Sequence, residues 1–382
     1  MVSGVLRVGK KGLDNPHLSR RCLPRFIVLP APNLYNLSMN YAFALGAALL
    51  FAVSVPAGKT LLAHLKPLEL SALCYLGSGL GLLAWRFISG AGGKAAEAPL
   101  DRRDIPYTAG FVLAGGVLAP LLLFTGLNLT SSSSASILLN FELVFTSLIA
   151  VVVFREHGGA RFWAAAGLIT AGALALSWEG GGLGLGLGAV LVLASSFMWG
   201  VDNNLTARVS IKNPVTLAAI KGLAGGLINA CLALYSYRSL PPAGWAAAAL
   251  LLGFASYGIS LVLFILAMRG LGASRAGAFF GSYPFIGAAL GVAFLGEPLT
   301  ARLLWASALM LCAFLLLAFE RHGHAHLHEP LEHDHSHGHD DAHHGHAHVR
   351  GPAGTHSHPH THEPLEHEHP HLPDAHHRHR HG

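Results

Sequence analysis

Long apolar stretches, separated by short polar or glycine-rich segments, fill the chain from about residue 40 to residue 319. A helix needs roughly 20 apolar residues to cross the hydrocarbon core of a membrane. Ten stretches fit that length, at 40–59, 68–89, 105–126, 131–154, 160–178, 186–207, 214–236, 244–268, 273–295 and 301–319. None shows the short apolar–polar alternation of membrane β-strands. The pattern therefore predicts an all-α polytopic membrane protein with ten transmembrane helices.

The chain also contains an internal repeat. When it is shifted by 141 positions, residues 133–176 align with residues 274–317 without a gap. Glu156 then falls on Glu297, and such a charged match is more specific than an aliphatic one in so apolar a chain. Each copy lies in a block of five predicted spans, so the second block enters the membrane from the opposite face. We therefore predict two inverted five-helix repeats, an architecture of secondary transporters.

Five regions follow from these patterns. They are a basic N-terminal arm (1–39), a first repeat (40–178), a Gly-rich linker (179–187), a second repeat (188–319) and a His-rich tail (320–382). The arm lacks the continuous apolar core of a secretory signal peptide, and we expect it to be disordered. Met39, directly before the first span, is the expected biological start.

Composition and charge agree with a membrane protein. Hydrophobic residues make up 52% of the chain and charged residues only 12%, which is too apolar for a soluble domain of this length. Sixteen Lys and Arg residues fall in the N-terminal arm or on the same predicted side of the membrane, against four on the opposite side. Because positive residues favour the cytoplasmic side, both termini are expected in the cytoplasm, with the protein in the cytoplasmic (inner) membrane. The net charge of +5 is then explained by topology, and no nucleic-acid partner is expected.

The ends of the repeated spans resemble a known family. Phe-Arg-Glu-His at 154–157, followed by Ala160-Arg161, resembles the middle of an EamA domain. Tyr283-Pro284 and Phe-Leu-Gly-Glu-Pro-Leu-Thr at 294–300 resemble it more closely. EamA domains occur in pairs in the drug/metabolite transporter superfamily. The resemblance implies ten helices in two inverted repeats and a small-molecule substrate carried across a lipid bilayer.

Polar groups inside the predicted spans are the candidates for function. A charge at the bilayer centre costs at least about 2.5–3.5 kcal/mol on insertion scales, so a retained charge usually faces a cavity or a partner. The candidate substrate or coupling residues are Glu142, Asn140, Tyr283, Asp202, Asn203, Lys221 and Trp199.

Depth in the membrane divides these candidates. Asp202 and Lys221 both lie roughly 8–10 Å from the same end of their spans, so their depth allows an ion pair that touches no substrate. Glu142 has no cation at its own depth. It either takes up a proton or a cationic substrate group opposite Tyr283, or it is a protonated glutamate bonded to a neighbouring helix. Glu156 and Glu297, at span ends, are expected to be interfacial or to cap the next helix.

The tail is rich in histidine. Of 26 histidines, 23 lie in the last 61 residues, mostly at every second position. With few apolar residues and several prolines, the tail is predicted to be disordered. Imidazole binds Zn²⁺, Ni²⁺, Co²⁺ and Cu²⁺, so the tail is a candidate site for these ions. The candidate ligands are His322, His324, His326, His328, His333, His335, His337, His339, His343, His344, His346 and His348.

Two functions compete at this point. One is a secondary transporter, with export favoured, that moves a small organic metabolite or drug-like solute and needs no cofactor. The other is a transition-metal transporter whose tail delivers or senses the ion. The predicted spans contain no His or Cys cluster, which favours the first. A pH-responsive tail, a tail without function and a metal-responsive membrane sensor are further alternatives. No ATPase motif is present, and we expect no enzymatic activity.

Overall fold

The computed structural model describes residues 34–88, 100–154, 160–179, 182–183, 186–209, 212–271, 276 and 279–318, and four short strands in the tail. Most of the N-terminal arm and of the His-rich tail lies outside these ranges.

Helices dominate the first half of the chain. They are α1 (Leu34–Ala52), α2 (Ser54–Leu61), α3 (Pro67–Ile88), α4 (Ile105–Phe111), α5 (Ala119–Leu129), α6 (Ser132–Leu138), α7 (Phe141–Phe154) and α8 (Ala160–Ser177). A 3₁₀ turn (Arg102–Asp104) precedes α4, and a π-helical segment (Val112–Leu118) joins α4 to α5. α1 begins earlier than the predicted span at residue 40, and α2 continues it after a short interruption.

The second half has a similar order of helices. They are α9 (Leu187–Val209), α10 (Pro214–Tyr237), α11 (Ala243–Gly253), α12 (Ser260–Leu271), α13 (Tyr283–Leu295) and α14 (Ala301–Ala318). A π-helical segment (Phe254–Ile259) joins α11 to α12. Shifted back by 141 positions, the repeat offset, this segment falls on 113–118, inside the first π-helical segment. The two halves therefore share a local irregularity of the backbone.

Among the residues that the structure describes, six helical stretches are long and apolar enough to cross a membrane. They are Met39–Leu61, Pro67–Ile88, Arg102–Leu129, Ser132–Val153, Pro214–Tyr237 and Ala243–Ala267. Three shorter apolar helices cover Trp163–Leu176, Tyr283–Leu295 and Ala301–Leu316. The fold is therefore an all-helical multi-pass membrane domain, as predicted at the level of fold class.

Helices of the two halves pack against each other throughout. α3 packs on α10, α1 on α12, α5 and α7 on α9, α6 on α13, and α8 on α14. The α3–α10 crossing is close because glycines face each other. A Cβ on Gly79 would lie 2.6 Å from the Leu223 nitrogen, and one on Gly226 would lie 2.6 Å from the Leu76 nitrogen. Small residues let helix backbones approach in this way in lipid.

Short strands occupy two further places. β1 (Trp178–Glu179) pairs with β2 (Gly182–Leu183) at the boundary between the predicted first repeat and the Gly-rich linker. In the tail, β3 (His322–His328) pairs with β6 (Leu365–His371), and β4 (Glu332–His337) with β5 (His356–Thr361), all antiparallel. The rest of the tail lies outside the described residues, so disorder and metal binding in the tail stay predictions.

Candidate functional site

Glu142 lies between the two halves of the helical domain. It is in the first turn of α7, next to the turn at 139–140 that separates α6 from α7. One carboxyl oxygen accepts a hydrogen bond from the Tyr283 hydroxyl at 2.8 Å. The other accepts one from the Asn203 amide at 2.9 Å. Both donors come from the second half, so one acidic side chain of the first half is bonded to α9 and α13 at once.

Polar groups continue along the contact between α7 and α9. The Asn203 amide also donates to the Thr146 hydroxyl at 3.2 Å. The neighbouring Asn204 amide donates to the Thr146 carbonyl at 3.0 Å and to the Gly200 carbonyl at 2.8 Å. Because Thr146 lies one helical turn after Glu142, these groups form a continuous polar row along one face of α7.

Asp202 and Lys221 form the ion pair that their depth allows. The Lys221 ammonium lies 2.5 Å from the Asp202 carboxylate, and the two side chains are 13% and 3% exposed. The Thr206 hydroxyl donates to the other carboxylate oxygen at 3.1 Å. Gly115 backs this pair, since a side chain there would collide with Asp202. The charge of Lys221 is therefore matched within α9 and α10.

Aromatic rings surround Phe51 next to this polar row. Its ring centroid lies 4.7 Å from that of Tyr283, 5.4 Å from Tyr257 and 5.5 Å from Phe280. The Trp199 ring lies 5.9 Å away. Because Tyr283 belongs to the aromatic cluster and also bonds Glu142, apolar and acidic groups meet at one place between the halves. Such a combination suits an amphipathic small molecule.

The predicted site residues do not all come together. Glu142, Tyr283 and Asn203 are in direct contact, Asp202 precedes Asn203 in α9, and Trp199 reaches the same region through Phe51. Asn140 does not join them by a hydrogen bond, because its amide donates to the Ile137 carbonyl at 2.8 Å in the local turn.

Two contributions were missed by sequence reasoning. Thr146 was not singled out, although its spacing of one turn from Glu142 was a usable signal. Phe51 was not singled out either, because nothing in the sequence separates it from the other 18 phenylalanines.

Glu297 caps a different helix from the one expected. Its two carboxylate oxygens accept hydrogen bonds from the backbone N–H groups of Ser132, at 2.6 Å, and of Ser133, at 2.7 Å. These groups begin α6 in the first half, whereas the sequence suggested the next helix, α14, which Thr300 caps instead through the Leu303 N–H at 3.2 Å. Glu156, the repeat equivalent of Glu297, lies outside the described residues.

Metal-ligating residues do not cluster in the described helices. Within that part of the chain, no group of three or more His, Cys, Asp or Glu side chains is placed to hold an ion. The histidines proposed as ligands, from His322 to His348, have no described side chains.

Comparison with known proteins identifies the family. The EamA-like transporter family matches residues 38–178 and again residues 186–319. An uncharacterized transporter of Methanothermobacter thermautotrophicus is 29% identical over 274 residues, which are 68% of this chain and 80% of the relative. A solved crystal structure is similar over 72% of this chain and 94% of its own, with a TM-score of 0.54 and 20% identity, which concerns the fold alone. Since the two family matches together cover most of the chain, the protein belongs to the EamA-like transporter family and is a multi-pass membrane transporter.

Proposed function

We propose that this protein is a secondary transporter of the cytoplasmic membrane that exports a small organic metabolite or drug-like solute by alternating access. In this proposal, ten spans form two inverted five-helix repeats, and the substrate site lies between them. Both termini face the cytoplasm, where the His-rich tail binds divalent transition metals as an accessory.

The packing of the helices supports a two-fold relation between the halves. By their order in the two halves, α1 and α2 correspond to α9, α3 to α10, α5 to α12, and α6 and α7 to α13. When each helix is exchanged for its counterpart, the α1–α12 contact becomes the α9–α5 contact. The exchange also turns the α7–α9 contact into that of α13 with α1 and α2. The α3–α10 contact maps onto itself, and its glycine approaches are reciprocal, Gly79 on Leu223 and Gly226 on Leu76. A pseudo-two-fold axis through the α3–α10 crossing accounts for these pairings, as expected for inverted repeats.

The observation that carries the proposal is the position of Glu142. Its partner Tyr283 lies 141 residues away, which is the repeat offset, so equivalent positions of the two halves meet at the proposed axis. An ionisable group placed there contacts both halves, and movement of one half against the other changes its surroundings. Intramembrane carboxylates in such places commonly mark substrate or proton paths.

Glu142 and the Asp202–Lys221 pair have different roles in this account. Glu142 binds the coupling proton or a cationic group of the substrate, and Tyr283 and Asn203 hold its carboxyl group in the site. Asp202 and Lys221 neutralise each other and hold α9 against α10, in the half of the membrane nearer the cytoplasm.

Replacing Glu142 tests the proposal. Metabolites inside and outside cells are compared by untargeted mass spectrometry in a deletion strain that carries the wild-type protein, Glu142→Gln or no copy, at external pH 6, 7 and 8. We expect a solute that wild type exports in a pH-dependent manner, and loss of that export in Glu142→Gln.

Glu69→Gln is the matched control for this experiment. Glu69 is also a buried acidic residue, 6% exposed, but it bonds the Lys66 backbone N–H at 2.9 Å in its own turn, away from the site. This variant should export as wild type does. Export with unchanged rate and pH dependence in Glu142→Gln would remove Glu142 from the mechanism.

A further inference from the structure

We propose that Glu297 is a positioning residue that holds one face of the transporter closed by joining the second half to the first. This inference rests on the proposed function, because it assumes that the halves move against each other. The face in question, called the Glu297 face below, carries Lys59, the turn at 130–131 and Glu297.

The contact crosses between the halves at a defined point. Glu297 follows α13, and its carboxylate bonds the first two backbone N–H groups of α6, in the stretch that contains Glu142. The partners are 165 and 164 residues apart in sequence. The first N–H groups of a helix have no partner inside the helix, and a carboxylate supplies one in a charge-assisted bond. Opening the face between α13 and α6 requires that these two bonds break.

The local sequence directs Glu297 into this contact. Gly296 has a φ of +65°, a left-handed conformation that ends α13 and turns the chain. Pro298 then prevents continuation of the helix, and Thr300 caps α14. Gly291 leaves room for the carboxylate, since a Cβ there would lie 3.1 Å from the Glu297 oxygen and 3.2 Å from the Ser132 hydroxyl. The conformation of the Gly-Glu-Pro-Leu-Thr segment therefore directs the Glu297 carboxylate towards the first half of the domain.

Lys59 holds the other end of the same turn. Its ammonium donates to the carbonyls of Leu127 and Thr130, both at 2.7 Å, at the end of α5. α5 and α6 are thus held by a cation on one side of the turn and an anion on the other. The Lys59 bonds lie within the first half, whereas only the Glu297 bonds of this group join the two halves.

Partial exposure makes the Glu297 contact reversible. Glu297 is neither fully buried nor fully exposed, so water can replace its two bonds when the face opens. Glu297 is therefore suited to a contact that forms and breaks in each transport cycle.

A buried cysteine reports opening of this face. Ser136, one turn after Ser132 in α6, has 0% exposure and faces α13, since a Cβ on Gly287 would lie 2.8 Å from its hydroxyl. Ser136→Cys is introduced into the full-length chain after the four native cysteines have been replaced. Its reaction rate with a membrane-impermeant maleimide is measured in cells and in inside-out vesicles, which expose opposite faces.

Glu297→Gln should raise the labelling rate from the Glu297 face about tenfold, because loss of the charged acceptor shifts the closed–open equilibrium. Labelling from the opposite face should stay the same or fall. Glu69→Gln is the control, since Glu69 caps α3 through the Lys66 N–H within the first half. It should leave both rates unchanged. Gly291→Ala pushes on the Glu297 carboxylate without removing its charge, and it should also raise the labelling rate from the Glu297 face. It serves as the test variant if Glu297→Gln fails to fold.

An unchanged rate from the Glu297 face in both variants would overturn the assignment, and so would an equal rise from both faces, which indicates general loosening. The pH-dependent export that depends on Glu142 is measured separately. If that export holds and the labelling result fails, only the role of Glu297 is wrong.

Discussion

Glu142 and Tyr283, which are related by the repeat offset of 141 residues, form a hydrogen bond of 2.8 Å with each other. Equivalent positions of two similar halves meet only close to an axis that relates the halves. At this position the first half carries an acid and the second half a phenol. The departure from symmetry places a single carboxyl group beside a phenol, where an exact repeat would pair two identical side chains.

The first prediction concerns energetic coupling between these two residues. Glu142→Gln replaces one of the two acceptor oxygens by a donor amide, and Tyr283→Phe removes the donor hydroxyl, so the double variant should lose less stability than the sum of the single ones. We expect a coupling free energy of about 0.5–3 kcal/mol. The measurement is the free energy of unfolding in mixed micelles for the four proteins of the cycle. Glu69→Gln combined with Tyr283→Phe should be additive, and additivity in the Glu142 cycle would contradict the contact.

The second prediction concerns the buried ion pair. Asp202→Asn or Lys221→Met alone leaves one charge without its partner in a low-dielectric site, and each should cost about 3–5 kcal/mol of unfolding free energy. The double variant should regain most of that loss, because no charge then remains unpaired. The same unfolding assay checks this. A double variant as unstable as the sum of the singles would show that the two side chains contribute independently.

The sequence was sufficient to predict the helical class, the family and two contacts at the site. The Glu142–Tyr283 contact follows from the repeat alignment, and the Asp202–Lys221 contact follows from depth in the membrane. Both predictions need only the position of each residue along its span.

The remaining contacts depend on how each helix is rotated about its own axis and on which helices lie next to it. The sequence of a single span specifies neither. Phe51 is the centre of the aromatic cluster because α1 packs on α12, on the π-helical segment at 254–259 and on α13. Glu297 was expected to be interfacial or to cap the helix that follows it in sequence, but the structure places its carboxylate on the first N–H groups of α6, a helix of the other half.

The third prediction concerns the close approach of α3 and α10. Gly79→Ala places a methyl group 2.6 Å from the Leu223 nitrogen, so the two backbones must separate. We expect a loss of roughly 1–3 kcal/mol of unfolding free energy, typical of overpacking. Gly167→Ala is the matched control, since nothing lies within 4 Å of its Cβ position in α8. Equal effects of the two changes would contradict the proposed role of the glycines at this crossing.

The fourth prediction concerns the His-rich tail. A chain that ends at Arg321 lacks 23 of the 26 histidines and should lose most of its binding of Ni²⁺ and Zn²⁺, measured by calorimetry on the purified protein. Export of the organic solute should be unchanged. Growth under graded Ni, Co, Zn and Cu compares the full and shortened proteins in cells. Loss of metal resistance on truncation would favour the alternative function, transition-metal transport.

The central claim is that two similar halves lie in the membrane in opposite orientations. Arg103 precedes α4 and Ser239 precedes α11, at corresponding places of the two halves, and both are exposed. Arg103→Cys and Ser239→Cys, made separately in the cysteine-free protein, are labelled with an impermeant maleimide in cells and in inside-out vesicles. The account predicts labelling from opposite faces, with Ser239→Cys labelled in cells and Arg103→Cys in inside-out vesicles. Labelling of both positions from the same face would contradict it.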